Sequence, residues 1–135
     1  MIPSADRKAA RRAARQVRGT EARKDGRASE FVAAFWLMAH GWRILGFRLK
    51  TPQGEIDLLA RRGRILAVVE VKHRATLEAA REAVGWRQRR RLVAAAENIA
   101  AKSPGLARLT VRLDLMALAP GRLPRHIVDA WAGAD

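Results

Sequence analysis

The chain predicts an α/β fold, a mixed β-sheet flanked by helices, on three observations. Two short apolar runs, Ile56–Ala60 and Ile65–Val71, are rich in β-branched residues and flanked by turn residues, as buried strands are. Two segments opening near Ser29 and Gly85 carry apolar residues at helical spacing. A late stretch, Leu109–Leu118, alternates: Leu109, Val111, Leu113 and Leu115 on one face, Thr110, Arg112, Asp114 and Met116 on the other.

Residues 1–25 are dominated by Ala, Arg and Lys and cannot build a core, so they are expected to be a disordered or weakly helical basic arm before a folded domain spanning 26–135. Such an arm either attracts phosphates non-specifically or has no role. Ser29 is an N-cap, Glu30 sits in the first helical turn, and Gly41 ends the helix. Phe31, Ala34, Phe35 and Met38 are expected to face the core. Trp42–Phe47 reads as a first strand and Arg48–Gln53 as a loop before Gly54. The polar connection Arg61-Arg62-Gly63-Arg64 joins the two apolar runs as a hairpin, centred on Arg62-Gly63. After Arg74 comes a linking segment, then a basic helix from Gly85 to Ala101 with an apolar stripe of Leu92, Ala95, Ala96 and Ile99. Pro104 and Gly105 break the chain, and Ile127–Trp131 reads as a short closing strand.

The chemistry concentrates in Gly54–Arg74, GEIDLLARRGRILAVVEVKHR. Asp57 is the single acid in the first apolar run, and Glu70 interrupts the second. Alternation puts Glu70 and Lys72 on one face and Val69 and Val71 on the other. The hairpin sets Asp57 roughly opposite Val68–Glu70, within reach of one ion if the acids share a face. Mg²⁺ takes hard oxygens and commonly only one or two protein carboxylates. Asp57 and Glu70 would supply these, with the Val71 carbonyl as a third oxygen. Lys72 would position a water or stabilise charge on phosphate oxygens. Charged residues on strands are more often solvated ends of a sheet; two acids embedded in apolar strands argue against that here, because buried acids need a partner or a metal.

These residues resemble the YraN-like family of small bacterial proteins, described as predicted endonucleases with a restriction-endonuclease-like PD-(D/E)xK core similar to archaeal Holliday-junction resolvases. Gly54-Glu55-Ile56-Asp57 with Val69-Glu70-Val71-Lys72-His73-Arg74 carries the resemblance; Ser29-Glu30 before Gly41-Trp42, and Arg112-Leu113-Asp114, extend it from about Gly26 to Val128. It implies Asp57, Glu70 and Lys72 as a catalytic triplet, with Glu30 matching a helical acid that assists the metal through water. Glu30 is equally explained by helix-end electrostatics. Where the family commonly has a lysine before the basic helix, this chain has Arg87, which keeps the charge but is a different donor.

Composition points to a polyanionic partner. The 135 residues carry 27 Lys plus Arg against 13 acids, a formal charge of +14, and Arg far outnumbers Lys, which suits bidentate phosphate contact. DNA is the expected partner, branched DNA included; RNA fits the charge as well but leaves the embedded acids unexplained, and a membrane partner is not expected. Arg74, Arg87, Arg89, Arg90 and Arg91 are the candidate phosphate contacts. Trp86 beside them either stacks on an unpaired base or packs. The chain has no cysteine, which excludes disulfides and thiolate metal sites and fits the cytoplasm as the expected compartment. No apolar run is long enough to span a bilayer. His40, His73 and His126 lack zinc-ligand spacing, and there is neither a phosphate-binding Gly-rich loop nor a nucleophile elbow.

The function expected from these residues is Mg²⁺- or Mn²⁺-dependent, structure-selective hydrolysis of DNA phosphodiester bonds, in recombination or repair by resemblance. The alternative is a nuclease fold that binds nucleic acid without cutting. Symmetric cutting of two strands needs two sites, so a homodimer is an expectation, with no interface readable in the sequence.

Overall fold

The computed structural model describes residues 28–133; the basic arm expected over 1–25 lies outside them. The order of elements is helix α1 (residues 28–39), strands β1 (Arg43–Thr51), β2 (Gly54–Arg62) and β3 (Ile65–His73), helices α2 (Leu77–Glu82) and α3 (Trp86–Ala101), then strands β4 (Thr110–Leu118) and β5 (Arg125–Ile127). The strands form one five-stranded sheet in the order β1-β2-β3-β4-β5. β1, β2 and β3 are an antiparallel meander, β4 runs parallel to β3, and β5 pairs antiparallel to β4. The parallel step requires a crossover, which α2 and α3 supply. This is the mixed sheet with flanking helices that the sequence predicts.

Each face of the sheet has its own core. On one, α1 sets Ala33, Ala34 and Leu37 against Leu58, Ala60, Ala67, Val69 and Met116. On the other, α3 sets Leu92, Ala95, Ala96 and Ala100 against Ile56, Leu59, Leu66, Val68 and Leu113. β3 is buried on both faces from Leu66 to Glu70, which is why its sequence is a continuous apolar run rather than an alternating one. In β2 the alternation breaks: Ile56 packs with the α3 core and Leu58 with the α1 core. Asp57 sits at the break.

Five elements differ from expectation. The helix α1 presents Ala33, Ala34 and Leu37 to the sheet; of the residues expected to face the core only Ala34 does so, and Phe31, Phe35 and Met38 are exposed, Phe35 by 69%. Small residues let the helix approach the sheet closely, and the large ones are left outside, where Phe31 meets Phe47 of β1 with tilted rings, 5.6 Å between centroids. β1 runs on to Thr51 instead of ending at Phe47, because Leu49 packs into the α3 core while Lys50 points to solvent at the sheet edge. The β2–β3 turn is centred one residue later than predicted, on Gly63 and Arg64, with Arg62 paired to Ile65; Gly63 supplies the positive φ of 59°. The segment after Arg74 contains α2, capped by the Thr76 hydroxyl, which accepts from the Ala79 N–H at 3.0 Å. The closing strand spans only Arg125–Ile127, since Asp129 turns the chain at φ 47°.

A carboxylate pair beneath a basic cleft

The sheet contains two buried acids, and their surroundings are opposite. Asp114 on β4 is 0% exposed and saturated with donors. Arg112 donates to both its oxygens at 2.8 and 2.9 Å, His126 Nε2 lies 2.7 Å from Oδ2, and the Asp129 N–H donates to Oδ1 at 3.0 Å. Desolvation pushes its carboxyl up, but His126, Arg112 and the Asp129 N–H together hold it below the usual carboxylate range. Arg112 and Asp114, on one face of β4, thus form a structural ion pair. The tie also includes Trp42, whose ring Arg112 and Arg62 cover at 5.5 and 4.9 Å.

Glu70 on β3 is 2% exposed and starved of donors. Gln88 of α3 donates to Oε2 at 2.9 Å, and Lys72 Nζ lies 3.8 Å from the same oxygen. Oε1 is buried without a hydrogen-bond donor. Desolvation, then the adjacent charge of Asp57 and the hydrogen bond that a protonated Glu70 shares with it, push the Glu70 carboxyl up to about 9; Lys72 offsets only part of this. Asp57 is half-buried at the break in β2, and its Oδ2 accepts from the Val71 N–H at 2.9 Å. A strand residue's N–H and carbonyl project to the same side, so the Val71 carbonyl is directed toward Asp57 as well. The expectation that Asp57 and Glu70 come together is met by this arrangement.

Glu30, at the start of α1, reaches the same place. Desolvation raises its carboxyl, Arg48 pulls it back, and Asp57 raises it again. Arg48 Nε donates to Glu30 Oε1 at 2.6 Å. Arg48 lies opposite Asp57 in the β1–β2 register and adopts φ 48°, a left-handed conformation that costs a side-chain-bearing residue of order 1 kcal/mol. The ion pair with Glu30 holds it there.

Glu30, Asp57, Val71, Lys72 and Arg74 all line one cleft of about 880 Å³, roofed by the loop 119–124 between β4 and β5. Glu70 lies behind its floor. The arginines of α3 are placed elsewhere. Arg87 and Arg90 lie over the exposed ring of Trp86, each 5.7 Å from its centroid, and Arg91 is exposed. Arg89 turns to the Val84 carbonyl at 2.9 Å and to Trp131, and with Arg90 it lines a separate groove. Gln88, Arg48 and Arg122 of the loop are the site residues that sequence reasoning misses. Gln88 had a signal, being the uncharged residue inside the arginine run; Arg48 and Arg122 had none.

The residues fit a divalent cation. No three His, Cys, Asp or Glu side chains converge among the described residues, so an ion here would rest on Asp57, Glu70, backbone and water oxygens, a donor set suited to Mg²⁺ or Mn²⁺. The orphaned Glu70 Oε1 is the atom such an ion would satisfy. Without metal, the pair makes stability pH-dependent. A carboxyl raised in the fold keeps its proton while the unfolded chain loses it near 4.5, so the native state binds more protons between about 4.5 and about 9, and stability falls as pH rises through that window. Urea unfolding in EDTA is expected to show this decline in the wild type and to show it flattened in Glu70→Gln, which is the more stable of the two above neutrality.

Fold and site together define a small α/β protein with a carboxylate pair, Glu70 buried and Asp57 half-buried, at a cleft also lined by Lys72, Arg74 and Arg122. A family model described as "Uncharacterised protein family UPF0102" matches residues 29–118. A UPF0102 protein of Caulobacter vibrioides (strain NA1000 / CB15N) is 65% identical over 120 residues, 89% of this chain and 96% of the relative. One of Caulobacter sp. (strain K31) is 62% identical over 121 residues, covering 90% and 87%, and one of Chelativorans sp. (strain BNC1) is 49% identical over 109 residues, covering 81% and 88%. The chain belongs to the UPF0102 family, the YraN-like proteins that its sequence resembles. Among the described residues no helix is long and apolar enough to cross a membrane.

Proposed function

We propose that this protein is a divalent-metal-dependent endonuclease that hydrolyses DNA phosphodiester bonds on a restriction-endonuclease-like PD-(D/E)xK core. The observation that carries the reading is the contrast between the two buried acids. Asp114 has every donor a structural carboxylate needs, whereas Glu70 is buried beside a second acid with an oxygen left over. A buried carboxyl in that state either keeps a proton or binds a cation.

A bound Mg²⁺ or Mn²⁺ would polarise the scissile phosphate and lower the pKa of a coordinated water. The chain's own residues do the rest. Asp57 and Glu70, with the Val71 carbonyl, would hold the ion. Gln88 fixes the Glu70 carboxyl from α3, and Arg48 restrains Glu30 beside the pair. Lys72, on the same face as Glu70, orients the attacking water and stabilises charge gathering on phosphate oxygens. Arg74 and Arg122 line the cleft and grip the backbone, positioning DNA without reading its sequence. The first turns of α3 add an exposed arginine row at a helix start that has no acid in its first turn and no side-chain cap. Cations there oppose the helix dipole, and an anionic backbone relieves the repulsion.

Arg87, an arginine where the family commonly has lysine, lends some weight to a binding-only alternative. That side chain lies over Trp86 and does not line the carboxylate cleft, which supports a role in phosphate contact for it rather than a part in the carboxylate chemistry. The test is cleavage of linear, nicked and four-way-branched DNA by the full chain in Mg²⁺, Mn²⁺ or EDTA. Metal-dependent cutting supports the nuclease; salt-sensitive binding with no cutting in either metal would leave a binding module.

A further inference from the structure

The loop roofing the cleft separates it from a second groove. Residues Arg74, Leu118, Ala119 and Arg122 line both the carboxylate cleft and a smaller groove of about 230 Å³, which adds Arg125 and Leu123. The two grooves therefore share a wall formed by the 119–124 loop and Arg74, with arginines in the lining of both. The loop projection is stiff. Pro120 and Pro124 bracket it, Gly121 turns it at φ 68°, and the Arg122 N–H closes the turn onto the Ala119 carbonyl at 3.2 Å. Its base is anchored by the β4–β5 pairing of Ala117 with Arg125 and by the Arg74 N–H, which donates to the Leu118 carbonyl at 2.9 Å.

Leu123 stands on this projection and is 74% exposed, the most exposed of the large apolar residues among those described. A single exposed leucine is ordinary. One held on a proline-bracketed turn in the wall shared by two arginine-lined grooves has the form of the apolar wedges that proteins insert between bases. The smaller groove is below the size of a typical small-molecule pocket, so it suits a passing sugar–phosphate backbone better than a seated base.

We propose that the 119–124 loop is a strand-separating wedge: Leu123 stacks against the last base pair at a branch, one strand enters the carboxylate cleft, and the other follows Arg122 and Arg125 through the smaller groove. This rests on the nucleic-acid reading of the cleft and adds its substrate class, forked DNA in preference to continuous duplex.

The test needs no cleavage. The full chain is titrated in EDTA with a forked DNA and a duplex of equal length, each carrying 2-aminopurine at the position of the branch. The wild type binds the fork about tenfold more tightly, and the probe brightens as its base is unstacked. Leu123→Ser brings fork and duplex within twofold and removes the brightening, with duplex binding and thermal unfolding unchanged; Leu123→Met retains both signals. Equal wild-type affinity for fork and duplex, or a Leu123→Ser protein that keeps the preference and the brightening, overturns the wedge while leaving the cleft reading intact. Absence of salt-sensitive binding to either DNA overturns the cleft reading, and the wedge with it.

Discussion

Replacing Glu70 by Gln is expected to abolish metal-dependent cleavage while leaving DNA binding in EDTA within about twofold of the wild type. The substitution keeps the shape and the Gln88 contact but cannot supply an anionic ligand. Losing a Lewis-acid site removes several kcal/mol of transition-state stabilisation; about 4 kcal/mol corresponds to about a 10³-fold slower rate. Binding is spared because Glu70 lies behind the cleft floor and touches no surface that DNA would meet. A variant that still cuts at the wild-type rate would remove Glu70 from the chemistry. Slow cutting accompanied by equally weak binding would instead place it in DNA positioning.

Asp114→Asn is expected to destabilise the fold by about 3 kcal/mol, the cost of breaking a buried ion pair and stranding its partners. Arg112 loses a bidentate acceptor and His126 a short contact, both next to the buried Trp42. Urea unfolding near neutral pH gives the number. The pH dependence has the opposite sign to that of Glu70. A carboxyl held below its unfolded value of 3.8 contributes stability that is fully present above that value and is lost as pH falls through the folded one. The wild type therefore loses the Asp114 contribution only at the acid end, whereas the metal-free protein loses stability through Glu70 as pH rises from about 4.5 to about 9. An Asp114→Asn protein as stable as the wild type would mean that Arg112 and His126 regain solvent on losing their partner.

The central sheet and the acid pair are legible in the sequence because β3 announces itself: a run of Ile, Leu, Ala and Val admits Glu70 only for a reason, and hairpin geometry sets Asp57 near it. What is illegible depends on contacts distant in sequence. Arg48 looks like a loop residue because its charge and its left-handed backbone make sense only once Glu30, eighteen residues earlier, is beside it. The helix α1 offers two apolar stripes, and the larger side chains mislead, since close docking on a sheet favours Ala33 and Ala34. Arg122 carries no signal and Gln88 only its lack of charge within the arginine run, and they enter the site through the β4–β5 loop and the crossover helix respectively. The α3 arginines look equivalent in sequence, yet helical geometry divides them between Trp86, solvent and the groove at Trp131.

The central claim is that Asp57 and Glu70 hold a divalent cation, and Mn²⁺ binding tests it most directly. Electron paramagnetic resonance follows free Mn²⁺ as protein is added at pH 7.5 and low salt. The account predicts that the wild type removes the free-ion signal and that neither Asp57→Asn nor Glu70→Gln does so, although both variants remain folded. A wild type that leaves the Mn²⁺ signal untouched, or a Glu70→Gln protein that binds Mn²⁺ as well as the wild type does, would contradict it.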